Sequence, residues 1–128
     1  MMKLASIIAG GGLGALLRYV ISGMTYKILG STFPWGTLIV NLMGSFLIGL
    51  LWAFSERVII PPHLRTFLFI GLLGAFTTFS TYSLETAHLL RDGEFSLAFW
   101  NLAFSNGLGL ILVFVGFAAS RYLIYLFR

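Results

Sequence analysis

Four long apolar stretches, separated by short polar connections, dominate the pattern along the chain. A helix needs about 20 apolar residues to cross a hydrocarbon layer about 30 Å thick, and each stretch is long enough. Turn-forming and charged residues fill the connections. The pattern therefore predicts an all-α membrane protein with a single transmembrane domain over residues 1–128, whose spans lie at about residues 4–24, 35–54, 66–90 and 95–120.

The composition supports membrane insertion. Hydrophobic residues make up 59% of the chain and charged residues only 9%, and the mean hydropathy is +0.97. Soluble globular domains usually contain about 45–50% apolar and about 25% charged residues. The chain contains no cysteine, which excludes disulfides and thiolate metal sites.

The positive charges are scattered and mostly flank the apolar runs, although the net charge is +4. This pattern indicates anchoring at the bilayer interface and predicts no nucleic-acid partner. With four spans, both termini lie on one side of the membrane. The residues on that side are Lys3, Arg57, Arg65, Arg121 and Arg128, against Lys27, Arg91 and Arg18. So small a bias fits insertion in both orientations, and it also fits an ordinary protein with a weak preference.

Small residues recur at a spacing of four, which allows close approach of helix backbones in lipid. The pairs are Gly10 and Gly14, Ser45 and Gly49, Gly71 and Ala75, and Ser105 and Gly109. Polar residues share the same spacing, and this places them in a stripe on one helix face. The stripes are Thr37, Asn41, Ser45 and Gly49 in the second span, and Asn101, Ser105 and Gly109 in the fourth.

Asn41 needs a partner at membrane depth, because an unpaired amide in hydrocarbon is costly. One interpretation is a hydrogen bond to a neighbouring helix. The other is that its NH2 group faces a water-filled pathway and donates to an anion. The sequence is compatible with both.

Six hydroxyl side chains occupy the seven positions from Thr77 to Ser83. At 100° per residue they point to all sides of a helix and cannot form one stripe. Either many bond back to carbonyls of their own helix, or the helix is broken. Gly71 and Gly74, followed by β-branched threonines, favour a break near the middle of the third span. Broken backbone at membrane depth survives only where it is buried in protein or lines a cavity, so a break indicates a functional centre.

Arg18 and Glu85 are the ionisable residues closest to membrane depth, which makes both functional candidates. Alternatively, each extends to an interface. Two histidines and four scattered carboxylates indicate no transition-metal site. With no nucleophile–base pair, phosphate loop or cofactor motif, the sequence does not predict an enzyme.

Three motifs resemble the Fluc/CrcB family of small four-span fluoride channels. They are GALLRY at residues 14–19, PWGTLIVN at residues 34–41 and GAFTTFSTYSLE at residues 74–85. The resemblance covers most of the chain. Tyr82 stands where the family pattern usually has a second Phe, which leaves open whether the aromatic pair with Phe79 donates only through ring edges or also through a hydroxyl.

The resemblance implies a passive, fluoride-selective channel that exports cytoplasmic fluoride across the cell membrane. It further implies an antiparallel, dual-topology homodimer in the lipid bilayer, with two pores at the interface between identical subunits. At the dimer centre, the backbone carbonyls of Gly74 and Thr77 from both subunits would hold a structural Na+. Carbonyl oxygens suit a hard alkali cation, so no carboxylate is needed.

Hydroxyls, amides and ring edges are neutral or electropositive groups that suit a small, strongly hydrated anion. Together with the resemblance, this predicts Asn41, Phe79 and Tyr82 along the fluoride pathway, with Ser80, Thr81, Ser105 and Thr37 as further candidates. By family likeness Arg18 lies near an aqueous vestibule, where its charge would attract anions. Glu85 also matches a family position.

Two other function classes compete with a channel. A small proton-coupled multidrug exporter also has four spans and dual topology, but it needs a carboxylate in the middle of a span. The first span has none, and Glu56 and Glu85 lie near span ends. A structural subunit of a larger complex fits the packing motifs but gives the hydroxyl run no purpose.

Overall fold

Long apolar helices make up nearly all of the structure, a computed structural model that describes residues 1–127. Within that range, four helices are long and apolar enough to cross a membrane. They are Met2–Leu29 (α1), Trp35–Ser55 (α2), Pro62–Arg91 and Phe95–Leu126 (α5). The third is divided into α3, residues 62–76, and α4, Phe79–Arg91. Arg128, counted above among the positive charges, lies outside the described residues.

The helices continue past the predicted apolar spans. Helix α1 has 28 residues, about 42 Å at 1.5 Å per residue, so it is longer than the hydrocarbon thickness, and Lys27 lies in its last turn. It ends at Gly30, whose φ of 83° lies in the left-handed region that glycine adopts without strain.

The third span is broken at Thr77 and Thr78, near its midpoint. Both residues are extended, with φ and ψ of −87° and 157° at Thr77 and −148° and 117° at Thr78. Thr78 then caps α4, because its Oγ1 accepts a hydrogen bond from the Thr81 N–H at 3.2 Å. The prediction of four spanning helices with a break in the third is confirmed.

Glycines bring α1 and α3 into backbone contact. A Cβ added at Gly10 would lie 2.9 Å from the Leu72 nitrogen, and one added at Gly71 would lie 2.9 Å from the Gly10 Cα. A Cβ at Gly14 would collide with the Leu72 carbonyl. Because apolar faces gain little by meeting in lipid, this close approach supplies the dispersion contact that holds α1 to α3.

Helices α2 and α5 pack in the same way and run parallel. Gly49 lies against Val113, and a Cβ at Gly116 would lie 2.6 Å from the Leu50 nitrogen. Small residues therefore hold the four spans together in two close pairs, α1 with α3 and α2 with α5. The predicted contacts at Gly10, Gly14, Gly49 and Gly71 are confirmed.

Two stretches of wider π-helical turns interrupt the spans, Thr66–Leu73 in α3 and Phe104–Leu108 in α5. In a π-helix the hydrogen bonds run to the fifth residue rather than the fourth, so the side chains beyond it are rotated relative to a regular helix. The stretch in α5 contains Ser105 and Asn106, and the one in α3 leads into the break.

Candidate functional site

The broken helix is paired with the side chain of Asn41 in α2. Asn41 Nδ2 donates to the Thr78 carbonyl at 2.9 Å, and the Thr78 N–H donates to Asn41 Oδ1 at 2.7 Å. Asn41 thus makes the interhelical hydrogen bond considered above. An amide carries two N–H donors, and the second has no partner among residues 1–127.

A cavity of about 320 Å³ opens beside this pair. Its wall includes Asn41, Phe79, Tyr82 and Ser105, and no residue that lines it is charged. The Phe79 and Tyr82 rings, which both line the cavity, lie 5.6 Å apart between centroids and are tilted by 56° to each other. The structure therefore brings four of the predicted pathway residues together.

Asn106 is a further polar residue in this wall, and it was not among the residues predicted from the sequence. Its Nδ2 donates to Tyr82 Oη at 2.9 Å and to the Leu102 carbonyl at 2.8 Å. In a regular helix Asn106 lies 100° from the stripe through Ser105, and the π-helical turn brings both residues to the cavity. The signal in the sequence that could have indicated this residue is an asparagine within an uncharged span.

A second cavity, of about 410 Å³, lies on the other side of the break. Its wall includes the half-buried Arg18 of α1 together with Tyr26, Thr37 and Thr81. Thr78 lines both cavities. The predicted residues therefore form two groups that meet at Thr78, with Thr37, Thr81 and Arg18 in the second.

Glu85 faces the protein interior. Its Oε1 accepts hydrogen bonds from the Tyr26 hydroxyl at 3.0 Å and from Thr37 Oγ1 at 2.8 Å. Its Oε2 is buried and has no hydrogen-bond partner in the described part of the chain. Tyr26 and Thr37, which both line the second cavity, thus hold the carboxylate in place.

The remaining hydroxyls of the run have different partners. Thr77 Oγ1 donates back to the Leu73 carbonyl at 3.0 Å, as expected for a threonine within a helix end. Ser80 lines neither cavity; its Oγ lies 3.3 Å from Thr78 Oγ1 on an exposed surface. The Thr78 hydroxyl donates to Thr81 Oγ1 at 3.0 Å. Both explanations of the run therefore hold in part, because it combines back-bonding with a break.

Asn101 lines neither cavity and belongs to a hydrogen-bond network behind the wall of the first one. Its Nδ2 donates to Thr86 Oγ1 at 2.9 Å, and Thr86 in turn donates to the Tyr82 carbonyl at 2.8 Å. The Ser105 hydroxyl donates a hydrogen bond to Asn101 Oδ1 at 3.4 Å. Asn101 is almost fully buried, and this network joins α4 to α5.

Two main-chain carbonyls at the break lack their helical donors. In a continuous helix Thr78 N–H would donate to the Gly74 carbonyl, and here it donates to Asn41. Thr81 N–H would donate to the Thr77 carbonyl, and here it donates to the cap of α4. These oxygens can serve a hard cation. Among residues 1–127, no group of three or more His, Asp or Glu side chains could hold a metal ion.

A comparison with protein-family models matches residues 5–117 to the family described as "CrcB-like protein, Camphor Resistance (CrcB)". The chain belongs to this family. The match covers all the residues of the break and of both cavities, and it agrees with the motifs at residues 14–19, 34–41 and 74–85.

Curated CrcB relatives carry the name "Fluoride-specific ion channel FluC". The chain is similar to one from Magnetococcus marinus, at 46% identity over 94% of this chain and 98% of the relative. A relative from Geotalea daltonii is 49% identical over 88% of this chain and 92% of its own length. One from Parabacteroides distasonis is 41% identical over the full length of both chains.

Proposed function

We propose that this protein is a fluoride-selective passive channel that exports cytoplasmic fluoride down its electrochemical gradient. The observation that carries the proposal is the uncharged cavity beside the helix break, whose wall combines the Asn41 amide with the Phe79 and Tyr82 rings. The family match and the name of the relatives support fluoride as the ion. A passive channel catalyses no chemical reaction, so the protein is not an enzyme.

The chemistry of the wall suits fluoride. Fluoride holds its hydration shell strongly, so a pore must replace those hydrogen bonds without binding the ion too tightly for release. Asn41 offers a free amide N–H, and hydroxyls and ring edges supply further weak donors. Neutral donors meet both demands better than a lysine or arginine. Arg18 in the second cavity supplies positive charge at a distance, where it attracts anions without trapping them.

The functional unit is proposed to be an antiparallel homodimer with two pores at its interface. Polar and aromatic groups near the middle of the spans are exposed on the single chain: Phe79 is 79% exposed, and Ser80, Thr81 and Asn106 are exposed as well. Exposed hydroxyls and amides at this depth are costly in lipid, so a second copy must cover them. The small charge bias between the two sides supports opposite insertion of the two copies.

A structural Na+ at the centre of that dimer fits the residues present. The carbonyls of Gly74 and Thr77 have lost their helical donors, and Gly74 is exposed toward the proposed interface. Two carbonyls from each copy make four oxygen ligands, which suit a hard monovalent cation. Bound there, the ion would supply positive charge that holds the two broken helices together.

Passive export removes the fluoride that acid–base chemistry traps in the cytoplasm. Undissociated hydrogen fluoride crosses lipid and ionises in the more neutral cytoplasm, where the anion is trapped. A pore in the cell membrane then lets the anion leave along the membrane potential. No coupling to a proton gradient is required, and this distinguishes the channel from a proton-coupled exporter.

The test is fluoride release from liposomes that contain the purified dimer. A fluoride electrode records release after valinomycin lets K+ leave with the anion and so balances its charge, and chloride release is measured in parallel. We expect rapid fluoride release with negligible chloride release. Absence of fluoride release from folded, dimeric protein would contradict the proposal.

A further inference from the structure

The Asn106 amide has a fixed orientation. Its Nδ2 lies 2.8 Å from the Leu102 carbonyl oxygen, which can only accept a hydrogen bond. Rotating the amide by 180° would place Oδ1 against that carbonyl and set two acceptors against each other. The NH2 group therefore points to Leu102 and to Tyr82, and its two hydrogens are both committed.

This orientation determines what the Tyr82 hydroxyl can do. At 2.9 Å from Nδ2, the phenol oxygen is the acceptor in the contact with Asn106. Its own hydrogen must point elsewhere, and it has no acceptor in residues 1–127. Tyr82 is buried, with 8% of its surface exposed, and lies in the wall of the uncharged cavity. A buried hydroxyl hydrogen with no acceptor is costly unless a ligand or water accepts from it.

We propose that the Tyr82 hydroxyl is an anion-binding donor in this cavity and that Asn106 is the residue that positions it. The inference rests on the proposed function and deepens it by adding an O–H donor beside the Phe79 ring and the free N–H of Asn41. A hydrogen bond from a neutral hydroxyl to an anion is about twice as strong as one between neutral groups. On this proposal, the aromatic pair offers a hydroxyl donor to the anion as well as ring edges.

The two residues have different roles, so their variants must behave differently. Tyr82→Phe removes only the donor. Asn106→Leu removes the amide while keeping a side chain of similar size, and it frees the hydroxyl to turn away from the cavity. Ser83→Ala is the matched control, because Ser83 carries a hydroxyl on the same helix that makes no hydrogen bond in residues 1–127 and lines neither cavity.

The experiment measures initial fluoride efflux from liposomes containing the whole dimer over a series of fluoride concentrations. We expect Tyr82→Phe to raise the half-saturating concentration about three- to tenfold, with a smaller change in the maximal rate. Asn106→Leu should shift it in the same direction by less. In the Tyr82→Phe background, Asn106→Leu should cause no further shift, because its effect passes through the hydroxyl.

The outcomes separate this inference from the channel itself. If the wild-type dimer releases no fluoride, the proposed function and the inference both fail. If it conducts and Tyr82→Phe keeps the wild-type half-saturation, the hydroxyl does not bind the ion and only the inference is overturned. An equal effect of Asn106→Leu with and without the hydroxyl would overturn the positioning role.

A second modification keeps the proposal testable even if Tyr82→Phe or Asn106→Leu fails to fold. Replacing Tyr82 by 3-fluorotyrosine keeps the ring and the hydroxyl while making the O–H a stronger donor. The half-saturating fluoride concentration should then fall below the wild-type value. A value equal to or above the wild-type one would contradict donation from this hydroxyl.

Discussion

Asn41 and Thr78 pair side chain to main chain across the break in the third span, with Nδ2 to carbonyl and N–H to Oδ1 distances of 2.9 and 2.7 Å. One amide thus satisfies the donor and the acceptor of the residue where the helix is interrupted. Because water cannot solvate free backbone groups in the hydrocarbon layer, this pair makes the break tolerable at that depth. It also holds the Asn41 side chain, which keeps one N–H without a partner in residues 1–127, in the wall of the uncharged cavity.

Asn41→Leu should lower both stability and transport. It leaves two main-chain groups of Thr78 without partners, which costs on the order of 2 kcal/mol or more. We expect a lower thermal midpoint in detergent and at least a tenfold slower fluoride release. Ser45→Ala is the control, since Ser45 lines the same cavity and makes no hydrogen bond in residues 1–127. An unchanged midpoint for Asn41→Leu would show that the pair does not support the break.

Glu85 variants separate hydrogen bonding from charge. Glu85→Gln keeps an oxygen that accepts from Tyr26 and Thr37, so its stability should stay close to the wild-type value. Glu85→Ala leaves both hydroxyls unpaired, and we expect a loss of about 1–3 kcal/mol, measured by thermal unfolding.

The same Glu85→Gln variant tests the exporter alternative. Passive fluoride release follows the electrochemical gradient of fluoride alone, so an imposed pH gradient should not drive uptake of a cationic drug into liposomes that contain the wild-type protein or this variant. Uphill transport that depends on a pH gradient and disappears in Glu85→Gln would favour a proton-coupled mechanism.

The contact of α1 with α3 predicts a difference between two alanine substitutions in α1. Both Gly10→Ala and Gly12→Ala gain about 1 kcal/mol of helix propensity. At Gly10 the new Cβ meets the α3 backbone, whereas at Gly12 nothing lies within 4 Å. Gly10→Ala should therefore be destabilised by about 1–3 kcal/mol relative to Gly12→Ala in unfolding experiments. Equal stability would contradict close packing at Gly10.

The proposed dual topology can be tested with single cysteines because the chain contains none of its own. Ser31→Cys places a thiol in the exposed connection between α1 and α2, and Val58→Cys places one in the exposed connection on the opposite side. In intact cells, a membrane-impermeant maleimide should modify about half of the chains of each variant. Nearly complete labelling of one variant and none of the other would indicate a single orientation.

The proposed Na+ site predicts a stability that depends on the cation. An ion that binds only the folded state stabilises that state, and the stabilisation grows with the logarithm of the ion concentration once it exceeds the Kd of the ion. The thermal midpoint of the proposed dimer should rise with Na+ and not with N-methylglucamine at equal ionic strength, and fluoride release should slow when Na+ is removed. Identical midpoints in both salts would argue against the site.

The sequence by itself determined the membrane class, the four spans and the break. These depend on local properties: the length of an apolar run sets a span, and glycines followed by β-branched threonines interrupt a helix. The motifs around Asn41 and Thr77 also carried the resemblance to the family that the comparison confirmed.

Only the tertiary structure decided which side chains meet. Glu85 bonds with Tyr26 and Thr37, 59 and 48 residues earlier in the chain, and a position near a span end gave no sign of either partner. Asn106 reaches Tyr82 because a π-helical turn rotates it toward the cavity, which a regular period of 3.6 residues does not predict. Contacts of this kind depend on helix packing at glycines, and packing is a property of the folded chain.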